Sequence, residues 1–124
     1  MAVHHSALRY RQTDAQSRTP LELVVMLYDG AIGAIAQARQ AMERGDIRSR
    51  SACVARALAI VSELQSTLDM HAGGEIAESL DRLYGFVSGR LIEASARKNL
   101  QALDEASRVL GTLRDGWSQA AASR

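Results

Sequence analysis

Apolar residues recur at steps of three and four in four long stretches of this sequence, and short breaks separate the stretches. That spacing places them on one face of an α-helix. Short connections between helices of similar length make sequential helices antiparallel. We therefore predict an all-α fold, an antiparallel up-down-up-down four-helix bundle over residues 19–121. Its helices are expected to run from about Pro20 to Glu43, Ile47 to Met70, Glu75 to Arg97 and Leu100 to Ala121.

The breaks carry residue types suited to helix ends. Thr19 can cap the first helix, with Pro20 at its first position and Glu22 completing a capping box. Gly45 suits a helix C-terminus, and Asp46 after it is a new cap. The next breaks are His71-Ala72-Gly73-Gly74 and Lys98-Asn99, in which Asn99 is suited to cap the last helix.

The stretch MLYDGAIGAI, residues 26–35, contains two glycines inside the first helical pattern. Asp29-Gly30 resembles a turn, but the apolar face continues past it, so we predict one continuous helix. Each interior glycine costs about 1 kcal/mol relative to alanine. We expect Gly30 and Gly33 to offset that cost by permitting close approach of a neighbouring helix.

Charge and composition exclude several classes of function. The formal net charge of +1 indicates no strongly basic face, so nucleic acid is not the expected partner. Cys53 is the only cysteine and forms no intrachain disulfide, which is typical of a reducing compartment. No apolar run approaches the roughly 20 residues that span a bilayer, and residues 1–16 lack a secretory signal pattern. We predict a cytoplasmic protein that does not insert into membranes, with residues 1–18 as a mobile N-terminal arm.

No constellation of residues indicates catalysis. The histidines His4, His5 and His71 have no metal-ligand spacing with one another or with Cys53. Gly73-Gly74 lacks the following lysine of a phosphate-binding loop, and no Glu-x-x-His pair of the di-metal bundle type occurs. We therefore predict that the protein is not an enzyme and has no cofactor or metal.

The helical faces contain more apolar residues than one core stripe needs. On a helical wheel, Met26 lies nearly opposite the core face, and Phe86 and Ile92 also lie outside it. Val25 lies outside the face as well and Ile60 lies at its margin, and for these two, contact with two neighbouring helices is a sufficient explanation. Single exposed apolar residues are common, whereas a contiguous set would form a groove for another helix. Trp117 continues the stripe of the last helix and is expected to plug the core or the end of the bundle.

Five sequence blocks together resemble the flagellin-specific export chaperone family, the FliS-type proteins. Their order and spacing, and the length of the chain, are similar to those of the family over nearly the whole sequence. The blocks are TPLEL (19–23), MLYDGAI (26–32), STLDM (66–70), LY with RLIEA (83–84 and 90–94) and LRDGW (113–117).

The resemblance implies a function that composition does not show. Members of the family bind the disordered C-terminal segment of flagellin in the cytoplasm, prevent its premature polymerisation and help to deliver it to the export gate. The bound segment is expected to wrap around the bundle and form helices in apolar surface grooves. Together with the apolar surplus, this indicates five partner-binding residues: Tyr10, Met26, Ile60, Phe86 and Ile92.

Tyr10 is included because it matches a tyrosine in the N-terminal segment of the family, ten positions before Pro20. That segment is thought to cover part of the binding surface when flagellin is absent. The family often has a second tyrosine three positions earlier, where this chain has Ala7. An arm-capping role is therefore less strongly implied for this chain.

Alternatives to flagellin binding stay open from the sequence. The main one is a regulatory helical bundle that sequesters another flagellar or signalling protein, such as an anti-sigma factor. An export-gate component is a further candidate partner, and an exposed apolar groove could cause weak homo-oligomerisation. A di-metal or cofactor bundle enzyme is a third possibility, against which the missing carboxylate–histidine pairs count.

Overall fold

The computed structural model describes residues 18–123, which form four helices joined by short connections. Each helix packs against the next one in sequence, and the last packs against the first, so that the four close into a bundle. This confirms the predicted all-α four-helix bundle. The helices are α1 (Pro20–Glu43), α2 (Ile47–Ser66), α3 (Gly74–Arg97) and α4 (Leu100–Ala122). The predicted N-terminal arm, apart from Arg18, lies outside the described residues and stays a prediction.

Side chains just before three of the helices accept hydrogen bonds from the first turn, as the sequence predicts. The Thr19 hydroxyl accepts from the backbone N–H of Glu22 at 3.1 Å. The carboxylate of Asp46 and the amide oxygen of Asn99 do the same for α2 and α4, at 3.1 and 3.2 Å. These bonds satisfy N–H groups that have no partner within the helix. Gly45 adopts the left-handed conformation, with φ of 74°, that favours glycine.

The prediction that α2 continues to Met70 is wrong, because α2 ends at Ser66. The carboxylate of Asp69 accepts hydrogen bonds from the backbone N–H groups of His71 and Ala72, at 3.1 and 3.0 Å. Its backbone oxygen accepts another from Gly73, at 2.8 Å. An aspartate that binds nearby backbone in this way competes with the helix. The connection to α3 therefore starts earlier than the apolar pattern indicates.

The core combines large side chains with alanines. Seven residues of α1 are buried, and four of them are alanine: Ala31, Ala34, Ala38 and Ala41. Alanines let neighbouring helices approach closely, since only a methyl group separates the backbones. The larger side chains that fill the interior include Tyr28, Met42, Leu64, Tyr84, Leu91, Leu103 and Leu110.

The two glycines of MLYDGAIGAI differ in their surroundings. A Cβ atom added to Gly30 would lie 3.3 Å from Cδ1 of Ile60 on α2, so the predicted close approach is confirmed there. No atom of a neighbouring helix among residues 18–123 lies within 4 Å of a Cβ added to Gly33. The same prediction is therefore wrong for Gly33.

One helix of the described chain, α1, is long and apolar enough in length and composition to cross a membrane. The expectation that no stretch of the sequence would approach the length and apolar character of a membrane span is therefore wrong. Core helices of bundles pass the same test, and α1 buries one side against α2 and α4. The apolar residues of α1 therefore contribute to the core of the bundle.

A glycine-to-alanine pair tests the connection before α3. An alanine Cβ at position 73 would lie 2.8 Å from the backbone oxygen of Asp69 and 2.6 Å from Cβ of Ala77. We expect Gly73→Ala to lower the free energy of unfolding by about 1–3 kcal/mol, the usual cost of overpacking. Gly33→Ala, the control, meets no neighbour and should raise it by about 0.5–1 kcal/mol. Urea unfolding measures both, and a Gly73→Ala protein as stable as wild type would contradict this account.

Candidate functional site

An apolar cavity of about 680 Å³ opens at the end of the bundle where α1 and α3 begin and α2 and α4 end. We call it the end groove. Its volume lies within the roughly 300–1,000 Å³ of typical ligand-binding clefts. Three polar side chains, Thr67, Asp69 and Tyr84, also line it. Most of the lining is apolar and includes Leu21, Val24, Leu27, Leu68, Ile76 and Leu80.

The four helices leave apolar side chains at this end of the bundle partly uncovered, and these side chains form the end groove. Leu68 falls within the predicted range of α2, but it lies in the connection beyond Ser66 and lines the groove. Leu21, Val24 and Leu27 belong to the apolar face of α1, yet they are only half-buried. The sequence pattern shows that these residues are apolar, and the arrangement of the helices leaves them at the groove.

Three aromatic side chains form a hydrogen-bonded group, the hydroxyl cluster, beside the end groove. The indole Nε1–H of Trp117 donates to the hydroxyl of Tyr28 at 3.1 Å. The hydroxyl oxygens of Tyr28 and Tyr84 lie 2.5 Å apart and share a hydrogen bond. Tyr84 and Trp117 line the groove, whereas Tyr28 is fully buried behind them. The cluster therefore joins α1, α3 and α4 at the groove, and Trp117 lies at the end of the bundle as predicted.

Burial controls the ionisation of the two tyrosines. Loss of hydration raises the pKa of Tyr28 above its ordinary value, against the lowering effect of its hydrogen bonds with Tyr84 and Trp117. Burial raises the pKa of Tyr84 still further, and its hydrogen bond with Tyr28 acts in the same direction. Both side chains are therefore neutral hydrogen-bonding groups in the physiological pH range.

A second, smaller cavity of about 320 Å³ lies between α2 and α3, nearer the other end of the bundle. We call it the side groove. Ile92 lines it from α3 and is 59% exposed, while Val54 and Leu58 line it from α2. Of the five predicted partner-binding residues, Ile92 lines one of these two grooves.

The other predicted residues are spread over the molecule. Met26 lies on the outer side of α1 and Phe86 on α3, with 43% and 47% of their surfaces exposed. Ile60 is half-buried and contacts the position of Gly30. Tyr10 lies outside the described residues. Met26, Phe86 and Ile60 therefore lie outside the end groove, and the role of all four residues in binding stays a prediction.

Charged side chains link α4 to α1 on the surface. Arg114 donates to the carboxylate of Asp29 at 2.8 Å, and Arg39 pairs with Asp104 at 2.5 Å. Exposed ion pairs of this kind contribute little to stability, because water and salt screen the two charges. They connect the surfaces of α4 and α1, and their arrangement does not indicate a catalytic site. No group of three metal-ligating side chains occurs in the part of the chain that the structure describes.

Comparison with known proteins gives consistent results in sequence and in structure. The family model for the flagellar protein FliS matches residues 3–124. The flagellar secretion chaperone FliSB of Pseudomonas aeruginosa is 35% identical over 113 residues, which are 88% of this chain and 90% of that protein. FliS of Salmonella typhimurium is 34% identical over 87% of this chain and 81% of its own. FliS of Bacillus subtilis is 31% identical over 97% and 89%.

A solved structure shares the fold. A crystal structure described as a flagellar chaperone from bacteria aligns with a TM-score of 0.79 and covers 98% of both chains. Its sequence identity is 19%, so this likeness is evidence for the fold alone.

The raised tyrosine pKa values predict a loss of stability in alkali. A tyrosine that stays neutral when folded but ionises near pH 10 when unfolded contributes stability below that pH and loses it above. While a tyrosine is neutral in the folded protein and ionised in the unfolded chain, the free energy of unfolding falls by at most about 1.4 kcal/mol per pH unit above pH 10. Urea unfolding of wild type and the Tyr28→Phe/Tyr84→Phe variant between pH 9 and 11 measures this contribution. Equal pH slopes in the two proteins would contradict the assignment.

Proposed function

Because this chain belongs to the FliS family of flagellar secretion chaperones, we propose that its cargo is the disordered C-terminal segment of flagellin. In this proposal the protein holds the segment in the cytoplasm, prevents premature polymerisation and aids its delivery to the export apparatus. FliS proteins are chaperones and not enzymes, so the activity of this flagellar export chaperone is binding.

The end groove is the observation that carries the proposal. Its leucines and isoleucine leave apolar surface in contact with water, and covering such surface is favourable by roughly 25 cal/mol per Å². Apolar clefts of this size on a soluble bundle are typical of binding sites. A segment with apolar residues on one helical face would fill the groove in a helix-in-groove mode.

The side groove supports a long cargo segment. Leu64 lines the end groove and Val54 lines the side groove, ten residues apart along α2. At 1.5 Å per residue the two sites are separated by about 15 Å along the bundle. A segment that fills both must therefore extend over several helical turns, as a disordered terminal region can. Ordering it costs about 2–5 kcal/mol, which a large apolar contact can offset.

Calorimetry tests the proposed cargo. We expect the full-length protein to bind a peptide covering about the last fifty residues of the organism's own flagellin with one-to-one stoichiometry. Because folding and burial accompany binding, the heat-capacity change should be strongly negative. Titrations at three temperatures measure both quantities. If none of the organism's flagellin peptides binds, flagellin is not the cargo of this chaperone.

Two matched substitutions test the end groove as the binding site. Ile76 lines the groove and is 73% exposed, whereas Ile47 is 65% exposed and lies outside both grooves. A charge inside an apolar contact is strongly unfavourable. We expect Ile76→Glu to weaken peptide binding at least tenfold and Ile47→Glu to leave it within twofold of wild type. Equal affinities for the two variants would place the flagellin segment elsewhere on the bundle.

A further inference from the structure

The charged residues of the bundle divide unequally between its two halves. Dividing each helix at its midpoint assigns residues 18–31, 57–85 and 112–123 to the half that contains the end groove. This half carries eight acidic and three basic side chains, a net charge of −5 with histidine counted as neutral. The other half, residues 32–56 and 86–111, carries nine basic and five acidic side chains, a net charge of +4. A nearly neutral chain therefore folds into a bundle with one acidic half.

Five carboxylates of this half lie at the end groove or next to it. Asp69 is exposed and is the only charged residue among those that line the groove. Four further carboxylates belong to residues adjacent in sequence to lining residues: Glu22, Glu63, Glu75 and Glu78. These four are exposed, and none of their side chains has a hydrogen bond or ion pair within residues 18–123. We call the five residues the acidic rim, and its charges are accessible to a bound segment.

Positive charge at this end of the bundle does not balance the acidic rim. The net charge of −5 already includes the three basic residues of this half. One of them, Arg114, is paired with Asp29 outside the rim, at 2.8 Å. The helix dipoles largely cancel, because two helices begin and two end here. A segment that enters the end groove therefore meets a negative potential around an apolar wall.

We infer that the segment held in the end groove carries lysine or arginine beside its apolar anchors. This rests on the proposed function and adds the charge of the cargo to it. The long aliphatic stem of either side chain can lie along the apolar wall while its charged end reaches the carboxylates of the rim. Aspartate or glutamate at the same points of the cargo would meet charge of its own sign.

The acidic rim acts mainly on the rate at which the segment associates. Exposed charges are screened over about 8 Å at physiological ionic strength, so each adds little to the final affinity. Their summed field raises the frequency with which an oppositely charged segment reaches the groove, and salt weakens this effect. Apolar contact then holds the segment, so the dissociation rate depends little on salt.

The salt dependence of the two rate constants tests the inference on wild type. Stopped-flow mixing of the full-length protein with the flagellin C-terminal peptide measures association and dissociation separately. We expect the association rate constant to fall at least about fivefold between about 50 and 500 mM sodium chloride, and the dissociation rate constant to change less than about twofold. An association rate constant that does not fall with salt would overturn the inference.

Two matched double variants locate the effect on the molecule. Glu75→Gln/Glu78→Gln removes two charges of the acidic rim. Glu43→Gln/Glu93→Gln, the control, makes the same change of net charge in the other half, where both carboxylates form exposed ion pairs along their own helices. We expect the rim variant to associate about threefold more slowly than wild type, and the control to stay within about 1.5-fold. Equal association rates for the two variants would show a general charge effect and overturn the inference.

Substitutions in the peptide identify the cationic residue of the cargo. Each lysine or arginine is replaced by glutamine in turn. At least one replacement should slow association with wild type about threefold and have a clearly smaller effect on association with the rim variant. A flagellin peptide that binds wild type but contains neither lysine nor arginine would overturn the inference. So would equal effects of every replacement on both proteins.

These outcomes separate the inference from the proposed function. If wild type does not bind the peptide at any salt concentration, the proposed function is wrong and the inference falls with it. If wild type binds the peptide without these charge effects, the proposed function stands and the inference alone is overturned.

Discussion

The backbone hydrogen bonds of Asp69 control the end of the bundle at which the end groove forms. The carboxylate of Asp69 binds the N–H groups of residues 71 and 72, and its backbone oxygen binds that of Gly73. These three bonds stand where a further turn of α2 was predicted, and the helix ends at Ser66. Residues on both sides of this connection, Leu68 and Ile76 among them, line the end groove, so local competition between an aspartate and the helix contributes to the shape of this end. Gly73 is part of the same turn. A Cβ atom at this position would lie 2.8 Å from the backbone oxygen of Asp69, to which the N–H of Gly73 donates.

The hydroxyl cluster connects three helices at the same end of the bundle. Large apolar side chains would fill the space behind the groove without fixing the relative positions of α1, α3 and α4. Three aromatic rings with polar ends fill that space and also bond to one another in a specific order. Hydrogen bonds need defined distances and angles. The bonds of the cluster therefore define the positions of Trp117 and Tyr84 at the groove more narrowly than packing alone would. Because the pKa of each tyrosine is raised above its ordinary value, these hydrogen bonds resist ionisation into the alkaline range as well.

Chaperone function places opposing demands on such a surface. In the proposed function the groove must be apolar enough to bind a disordered segment, yet the bundle has to tolerate that exposed apolar surface when it is free. Dividing the apolar surface between an end groove and a smaller side groove keeps each patch limited in area. A long segment can use both at once, whereas a short apolar peptide can fill only one. Selectivity for long, disordered cargo would follow from this geometry.

The sequence alone predicted the four helices, three of their caps and the bundle topology. The caps Thr19, Asp46 and Asn99 follow from local chemistry at the helix ends. The helices follow from an apolar repeat that each of them carries by itself. It also indicated the family, through blocks of residues in order. The candidate site residues are a different kind of prediction: Met26 and Phe86 were selected by angle on a wheel, which describes one helix and not the space between helices. Both lie outside the end groove.

Only the tertiary structure decided where apolar surface is left open. Leu21, Leu27 and Leu68 have the sequence character of core residues, and they line a groove because none of the four described helices covers them fully at that end. Likewise, Gly30 meets Ile60 while Gly33 meets no neighbouring helix within residues 18–123, although both follow the same pattern. Periodicity determines which side of a helix is apolar, a property of the chain itself. What covers that side depends on where the neighbouring helices end, and this is a property of the assembled bundle.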